Sequence, residues 1–121
     1  METLPRYVDK GWGHELIFAD TPEYCGKLLC FHKAGATFSM HYHTSKKESW
    51  YVQKGSFHLR MINTLNASID YTLLEVGATW TNLPNQPHQL VALEDDSVIV
   101  EVSTADSVSD NHRVMPGDSQ K

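Results

Sequence analysis

The chain has 121 residues, 40% hydrophobic and 21% charged, a composition that suits one folded domain and excludes a disordered segment. Ten basic against fifteen acidic residues leave a net charge of −5, without the basic footprint of a nucleic-acid or anionic-membrane binder. Apolar runs are only a few residues long, too short for a transmembrane helix. In chain order, residues 1–6 carry no apolar stretch of the kind a secretory leader uses, so the expected location is the cytoplasm. Short runs rich in Val, Ile, Thr and aromatic residues follow, broken by Gly, Pro, Asn and Asp. They predict strands over 14–19, 25–32, 38–43, 48–54, 57–62, 71–76, 79–83, 88–93 and 97–103. Lys54-Gly55 predicts a tight hairpin between its flanking strands, and residues 63–70 and Glu94-Asp95-Asp96 read as polar connections. Phe57, Leu59 and Met61 alternate with His58 and Arg60. Val98, Val100 and Val102 share one face, which leaves Glu101 opposite, an outward place by polarity with its role open. The tail, 105–121, is polar and reads as irregular or as a short helix. About nine short strands with no long amphipathic helix predict a sandwich or a barrel.

Cys25 and Cys30 fall in one predicted strand, about 16 Å apart. A disulfide needs Cα atoms within about 7 Å, so the two do not pair with each other. They read as reduced thiols of a cytoplasmic protein and belong to no CxxC zinc pattern. Asn66-Ala67-Ser68 matches a glycosylation sequon, which carries no weight without a leader.

Seven histidines are the compositional anomaly. His41 and His43 differ by two, so on a strand they point to the same side. Thr44, Ser45, Lys46 and Lys47 make a turn, and Glu48 opens the returning strand level with the histidines. Two imidazoles and a carboxylate converging on one point suit a divalent transition metal. Further on, a strand led by Gly77 runs into a Pro-rich turn, Leu83-Pro84-Asn85-Gln86-Pro87, that delivers His88 at the start of the next strand. Laid beside the first pair, that strand makes His88 the fourth ligand and leaves open positions for substrate or water.

Gly35, His41, His43, Glu48 and Gly55 stand at the spacing G-x5-H-x-H-x4-E-x6-G, and Gly77 precedes His88 by eleven residues. Both segments resemble the two motifs of the cupin superfamily. The second departs where the family has P-x-G, since Leu83 and Asn85 hold those places, but Asn tolerates the left-handed conformation such a turn needs. The resemblance implies an all-β cupin double-stranded β-helix, a jelly-roll barrel. It reads as a single domain over 1–121, with the barrel core at about 14–104. It also implies one divalent metal (Zn, Mn, Fe, Ni or Co) on His41, His43, Glu48 and His88. A homodimer follows too, with the strand at 14–19 and its aromatic neighbours as interface material.

More of the chain resembles the small cupin domain of type II mannose-6-phosphate isomerases. Lys10-Gly11-Trp12-Gly13 stands near that group's K-P-W-G opening. Phe38-Ser39-Met40-His41-Tyr42-His43, then Lys46, Glu48, Trp50 and Val52, follow its core pattern, and Glu101-Val102-Ser103-Thr104 leads on to Asp106, Asp110 and Arg113. His41 replaces the group's usual Gln, and the closing D-x-Y-G-R is absent. The resemblance implies aldose–ketose isomerisation of a sugar phosphate, with Lys46 and Arg113 as cations for the phosphate and Trp50 as a substrate contact. Trp12 and Trp50 also read as barrel packing, Lys46 as a solvated turn and Arg113 as tail surface. The general base has no assignment. A metal-dependent dioxygenase or lyase on the same ligands, and a non-enzymatic binding module for a carbohydrate or small metabolite, stay open beside the isomerase.

Overall fold

The computed structural model describes residues 3–121. Eleven strands form in chain order: β1 Arg6–Lys10, β2 Gly13–Asp20, β3 Tyr24–Phe31, β4 Met40–Tyr42, β5 Glu48–Lys54, β6 Phe57–Ile62, β7 Ile69–Leu74, β8 Thr79–Asn82, β9 His88–Ala92, β10 Ser97–Thr104 and β11 His112–Met115. One sheet has the order β1-β2-β3-β10-β5-β8 and the other β11-β4-β9-β6-β7, and every pairing is antiparallel. This is a jelly roll of the cupin double-stranded β-helix type.

After β3 the chain crosses between the sheets at every connection but β6–β7, and this corrects the expected hairpin at Lys54-Gly55. β5 pairs with β10 and β8, while β6 pairs with β7 and β9, so the turn carries the chain from one sheet to the other. Gly55 is required there twice over. Its φ of 77 lies in the left-handed region, and a Cβ would sit 2.1 Å from Ser97 Oγ.

The inner faces of the two sheets meet in an apolar core. Phe31, Val52, Phe57, Leu59, Leu90 and Ile99 are fully buried there, and Trp12 stacks on Phe31 at 4.6 Å between ring centroids. The alternation at Phe57 and Leu59 therefore marks the inward face. On β10 the polarity rule fails: Ser97, Ile99, Glu101 and Ser103 point inward, and the valines point out, with Val102 exposed. Glu101 is a buried residue, not an outward one.

The expected strand at 38–43 forms a regular ladder only over Met40–Tyr42; before it Thr37 makes an isolated bridge to Val91, and Gly117 packs against the Phe38 backbone. The polar tail has the expected helical character only in two short 3-10 turns, and it adds a strand that was not expected. It contains the 3-10 turns Val108–Asp110 and Asp118–Gln120, with β11 between them paired on β4. Cys25 and Cys30 both lie on β3 and are free thiols. Among the described residues no helix is long and apolar enough to cross a membrane.

Candidate metal centre

β4 and β9 lie side by side with His41 directly opposite His88. Opposed residues on neighbouring strands share a face, so both rings enter the barrel. His43 follows β4 by one residue and returns to the same side. Glu48 opens β5 in the facing sheet and closes the set from across the interior. One potential ligand atom from each of His41, His43, Glu48 and His88 lies within 4.8 Å of all the others. The turn that delivers His88 keeps its shape without the family's glycine: Asn85 takes a φ of 68, and its N–H donates to His43 O at 2.6 Å. The turn's backbone thus ties the second motif to the first, and Asn85 preserves that tie where the family has glycine.

Hydrogen bonds fix the tautomers. His41 Nδ1 donates to Ser39 O at 2.7 Å, His88 Nδ1 donates to Gln86 O at 2.8 Å, and His43 Nδ1 donates to Asp110 O. With each Nδ1 carrying the proton, each Nε2 presents a lone pair, the arrangement of imidazoles that bind a metal. His43 Nε2, His88 Nε2 and Glu48 Oε1 are buried with no hydrogen-bond partner. His88 Nε2 and Glu48 Oε1 stand 2.8 Å apart. At that distance a proton on His88 Nε2 or a cation lies between the two, and a bound metal would take the place of that proton. Burial, and then the facing His88, push the His41 imidazole down to about 3, and burial lowers His43 as well. Burial opposes charge on Glu48, but contacts with His88 and Glu101 and the Lys46 ammonium hold its carboxyl well below the usual range. Neutral imidazoles with an ionised carboxylate are the protonation states a divalent transition metal requires. The donor set fits such an ion.

His41, His43 and Glu48 border a cavity of about 420 Å³. Its other wall is charged. Lys46 is buried, and its Nζ lies 3.1 Å from Asp106, 3.6 Å from Glu101 and 3.7 Å from Glu48. Burial works against this ammonium, but the three carboxylates outweigh it and raise its pKa. Lys27, also buried, reaches Asp106 at 3.0 Å and Glu15 at 3.7 Å. Glu101 accepts from Trp50 Nε1 at 2.9 Å. Burial and the neighbouring Glu48 carboxylate push the Glu101 carboxyl up to about 8. The expected substrate residues thus have distinct surroundings. Lys46 lines the cavity with its charge already balanced. Trp50 is 2% exposed, lines the cavity and orients Glu101. Arg113 stands opposite His41 in the β4–β11 ladder, exposed, and lines the same cavity, because the tail does fold back.

Glu15 and Lys27 were not legible as site residues, and Asp106 and Asp110 only as part of a resemblance. Parity carried a signal for two of them. Lys27 falls in step with Leu29 and Phe31, and Glu15 with Ile17, so each belongs to an inward-facing set. Asp110 has no such signal, since only the folded tail brings it to His43.

No protein-family model matches the chain, and no curated protein matches it in sequence. Solved structures do. KdgF from Halomonas sp. is 22% identical, with 86% of this chain and 89% of that chain covered and a TM-score of 0.73. The capsular polysaccharide assembling protein CapF from Staphylococcus aureus is 16% identical, with 91% of this chain covered and a TM-score of 0.78. Oxalate decarboxylase from Bacillus subtilis is 15% identical, with 92% of this chain covered and a TM-score of 0.79. The chain spans 32% of the CapF chain and 30% of the decarboxylase chain. The likeness is one of architecture, and by it the chain has the cupin fold.

Proposed function

We propose that the chain is a metal-dependent enzyme acting on a small hydroxylated anion, with aldose–ketose isomerisation of a sugar phosphate of the mannose 6-phosphate type as its reaction. One observation carries the metal-dependent reading: three imidazoles, each with Nδ1 fixed on a carbonyl, turn Nε2 toward the Glu48 carboxylate beside a cavity. His41, His43, Glu48 and His88 would hold the ion, which would supply Lewis acidity to substrate carbonyl and hydroxyl oxygens. Arg113 binds the anionic end, since a guanidinium at a cavity mouth offers a bidentate, charge-assisted contact. Lys46 holds Glu48, Glu101 and Asp106 in place rather than meeting the phosphate. Glu101 lies outside the ligand set, lines the cavity and is oriented by Trp50, so it is the carboxyl positioned to take and return the proton that moves between adjacent carbons.

Element analysis tests the first half: wild-type protein carries a bound divalent metal and His88→Ala does not. An aldose–ketose screen on phosphorylated sugars tests the second. Arg113→Gln is expected to raise KM for the phosphorylated sugar roughly 10- to 150-fold, the equivalent of one charge-assisted bond of about 1.5–3 kcal/mol, with metal content unchanged. Equal turnover of mannose and mannose 6-phosphate overturns the isomerase reading. Oxygen consumption by the iron-loaded protein replaces it with an oxygenase, and saturable sugar binding without turnover replaces it with a binding module.

A further inference from the structure

The three carbonyls that fix the ligand imidazoles differ in origin. Ser39 and Gln86 stand two residues before His41 and His88, so the local chain supplies them. The carbonyl that accepts from His43 Nδ1 belongs to Asp110, 67 residues further on, in the tail. The carboxylate of the same residue accepts from Thr44 N at 2.6 Å, Thr44 Oγ1 at 2.7 Å, Ser45 N at 3.0 Å and Lys46 N at 3.1 Å. It is 12% exposed. One residue therefore grips both His43 and the turn that leads from His43 to Glu48.

The rest of the tail is held by the β11–β4 ladder, by Asp106 on Lys27 and Lys46, and by a second, separate anchor. Thr37 N donates to Asp118 Oδ2 and Asp118 N donates to Thr37 O, each at 2.9 Å. Beside it Gly117 lies flat on the chain, where a Cβ would stand 2.3 Å from the Phe38 carbonyl carbon. Between the anchors β11 carries Arg113, and the same segment contributes Asp106, Asn111 and Gln120 to the cavity wall.

We infer that Asp110 is a positioning residue that latches the C-terminal segment onto the metal centre, so that metal retention and docking of residues 105–121 are one equilibrium. The inference rests on the metal reading above. When the segment is docked, His43 is held in the tautomer that presents Nε2, and the turn before Glu48 is rigid. When it is released, His43 loses its orienting carbonyl and the cavity loses Arg113 in the same step. His41 and His88 keep their local carbonyls in either state, so release weakens the site without dismantling it.

The test uses cobalt- and zinc-loaded full-length protein. The readouts are the rate of metal loss to a chromogenic chelator and the visible spectrum of bound Co(II), which reports ligand geometry and is not moved by a merely structural change elsewhere. Asp110→Ala keeps the backbone carbonyl but removes the four carboxylate contacts that dock it, so release of the segment takes the carbonyl from His43; metal retention is expected to weaken 10- to 100-fold, the usual effect of losing an outer partner of a ligating histidine, and the cobalt spectrum to change. Asp110→Asn keeps an oxygen for Thr44 N–H but loses acceptors for Ser45 and Lys46, so it should fall between, and it carries the test if the alanine variant does not fold. Asp118→Asn weakens the other anchor and should leave the cobalt spectrum unchanged. Wild-type retention and spectrum in both Asp110 variants overturn the latch. So does an equal loss in the Asp110 and Asp118 variants, which would make the tail a general scaffold. A wild type that binds no more metal than His88→Ala overturns the metal reading itself, and the latch with it.

Discussion

Two neighbouring rows of inward side chains cross the six-stranded sheet. One runs Leu29–Ile99–Val52, the other Lys27–Glu101–Trp50, across the same three strands in the same register. The first row is buried against Phe31, Phe57 and Leu90 and is wholly apolar. The second holds a lysine, a carboxyl and an indole N–H, with Lys46 and Glu48 beside them. Backbone geometry and burial are nearly the same in both rows, so strand formation does not explain the difference. What differs is the partner sheet: the apolar row faces hydrocarbon, and the charged row faces the histidines and the cavity. The barrel thus divides into an end that removes apolar surface from water and an end whose charges are held only by one another.

Stability should come from the first end. Phe31 is fully buried and packs on Trp12 and Phe57. Phe31→Ala is expected to cost about 3–5 kcal/mol, from lost burial plus the cavity left behind. The folded fraction should keep the wild-type metal-to-protein ratio. Chemical denaturation with element analysis on the same samples checks both; a variant that loses metal but little stability would break the division between the two ends.

The charged end should give a smaller, pH-dependent effect. Lys27→Met keeps the length of the side chain and leaves Asp106 and Glu15 facing an apolar group. The expected loss is roughly 1.5–3 kcal/mol at neutral pH, the range for hydrogen bonds to charged groups. Burial raises the Asp106 carboxyl, but Lys46 and Lys27 bring it down to about 2, from an ordinary value of 3.8. A depressed carboxyl contributes stability above its unfolded pKa and loses it as pH falls through the folded one. The gap between wild type and Lys27→Met should therefore be full at neutral pH and narrow as pH drops from 3.8 toward about 2. A gap that widens on acidification would mean Lys27 is not the partner of that carboxylate. Denaturation curves across the pH range decide it.

The two ends were not equally legible in the sequence. Spacing alone carries the histidine set, because strands have period two and His41, His43, Glu48 and His88 stand where that period and a turn bring them together. Core strands such as β5 and β6 coincide with their expected bounds, since each is a short apolar-alternating run closed by a turn. β1 and β11 were not legible, and each has a physical reason. Both are edge strands, made of Arg-Tyr-Val-Asp-Lys and His-Arg-Val-Met, and neither has a buried face to impose an apolar pattern. Glu101 was misplaced because polarity assigned the valines to the core. Its neighbour Ile99 has the same parity and is fully buried, and that larger apolar side chain marks the inner face. A charged residue in step with buried ones is a sign of a site within a barrel.

The smallest expected effect tests that inversion directly. Val102 and Ile99 lie three residues apart on β10 and face opposite ways, Val102 at 54% exposure and Ile99 at 0%. Val102 sits between Gly26 and Ser49, neither of which offers a large apolar partner. Val102→Thr, which keeps β-branching and adds a hydroxyl in reach of water, should change stability by less than about 0.5 kcal/mol, as surface substitutions do. Ile99→Val removes one methylene from a packed interior and should cost about 0.5–1.5 kcal/mol although it is the more conservative exchange. If the order were reversed, the valine face would be the buried one. Reversal could arise in one specific way, through the homodimer that the cupin resemblance implies. A second copy covering this face would bury Val102 in the assembly only. The cost of Val102→Thr would then grow with protein concentration, because association adds to apparent stability by mass action, while the cost of Ile99→Val would not. Melting curves of both variants at two protein concentrations separate the cases: a small, concentration-independent Val102 effect leaves the face to solvent, and a growing one makes β10, two strands from the strand at 14–19 in the same sheet, part of the interface.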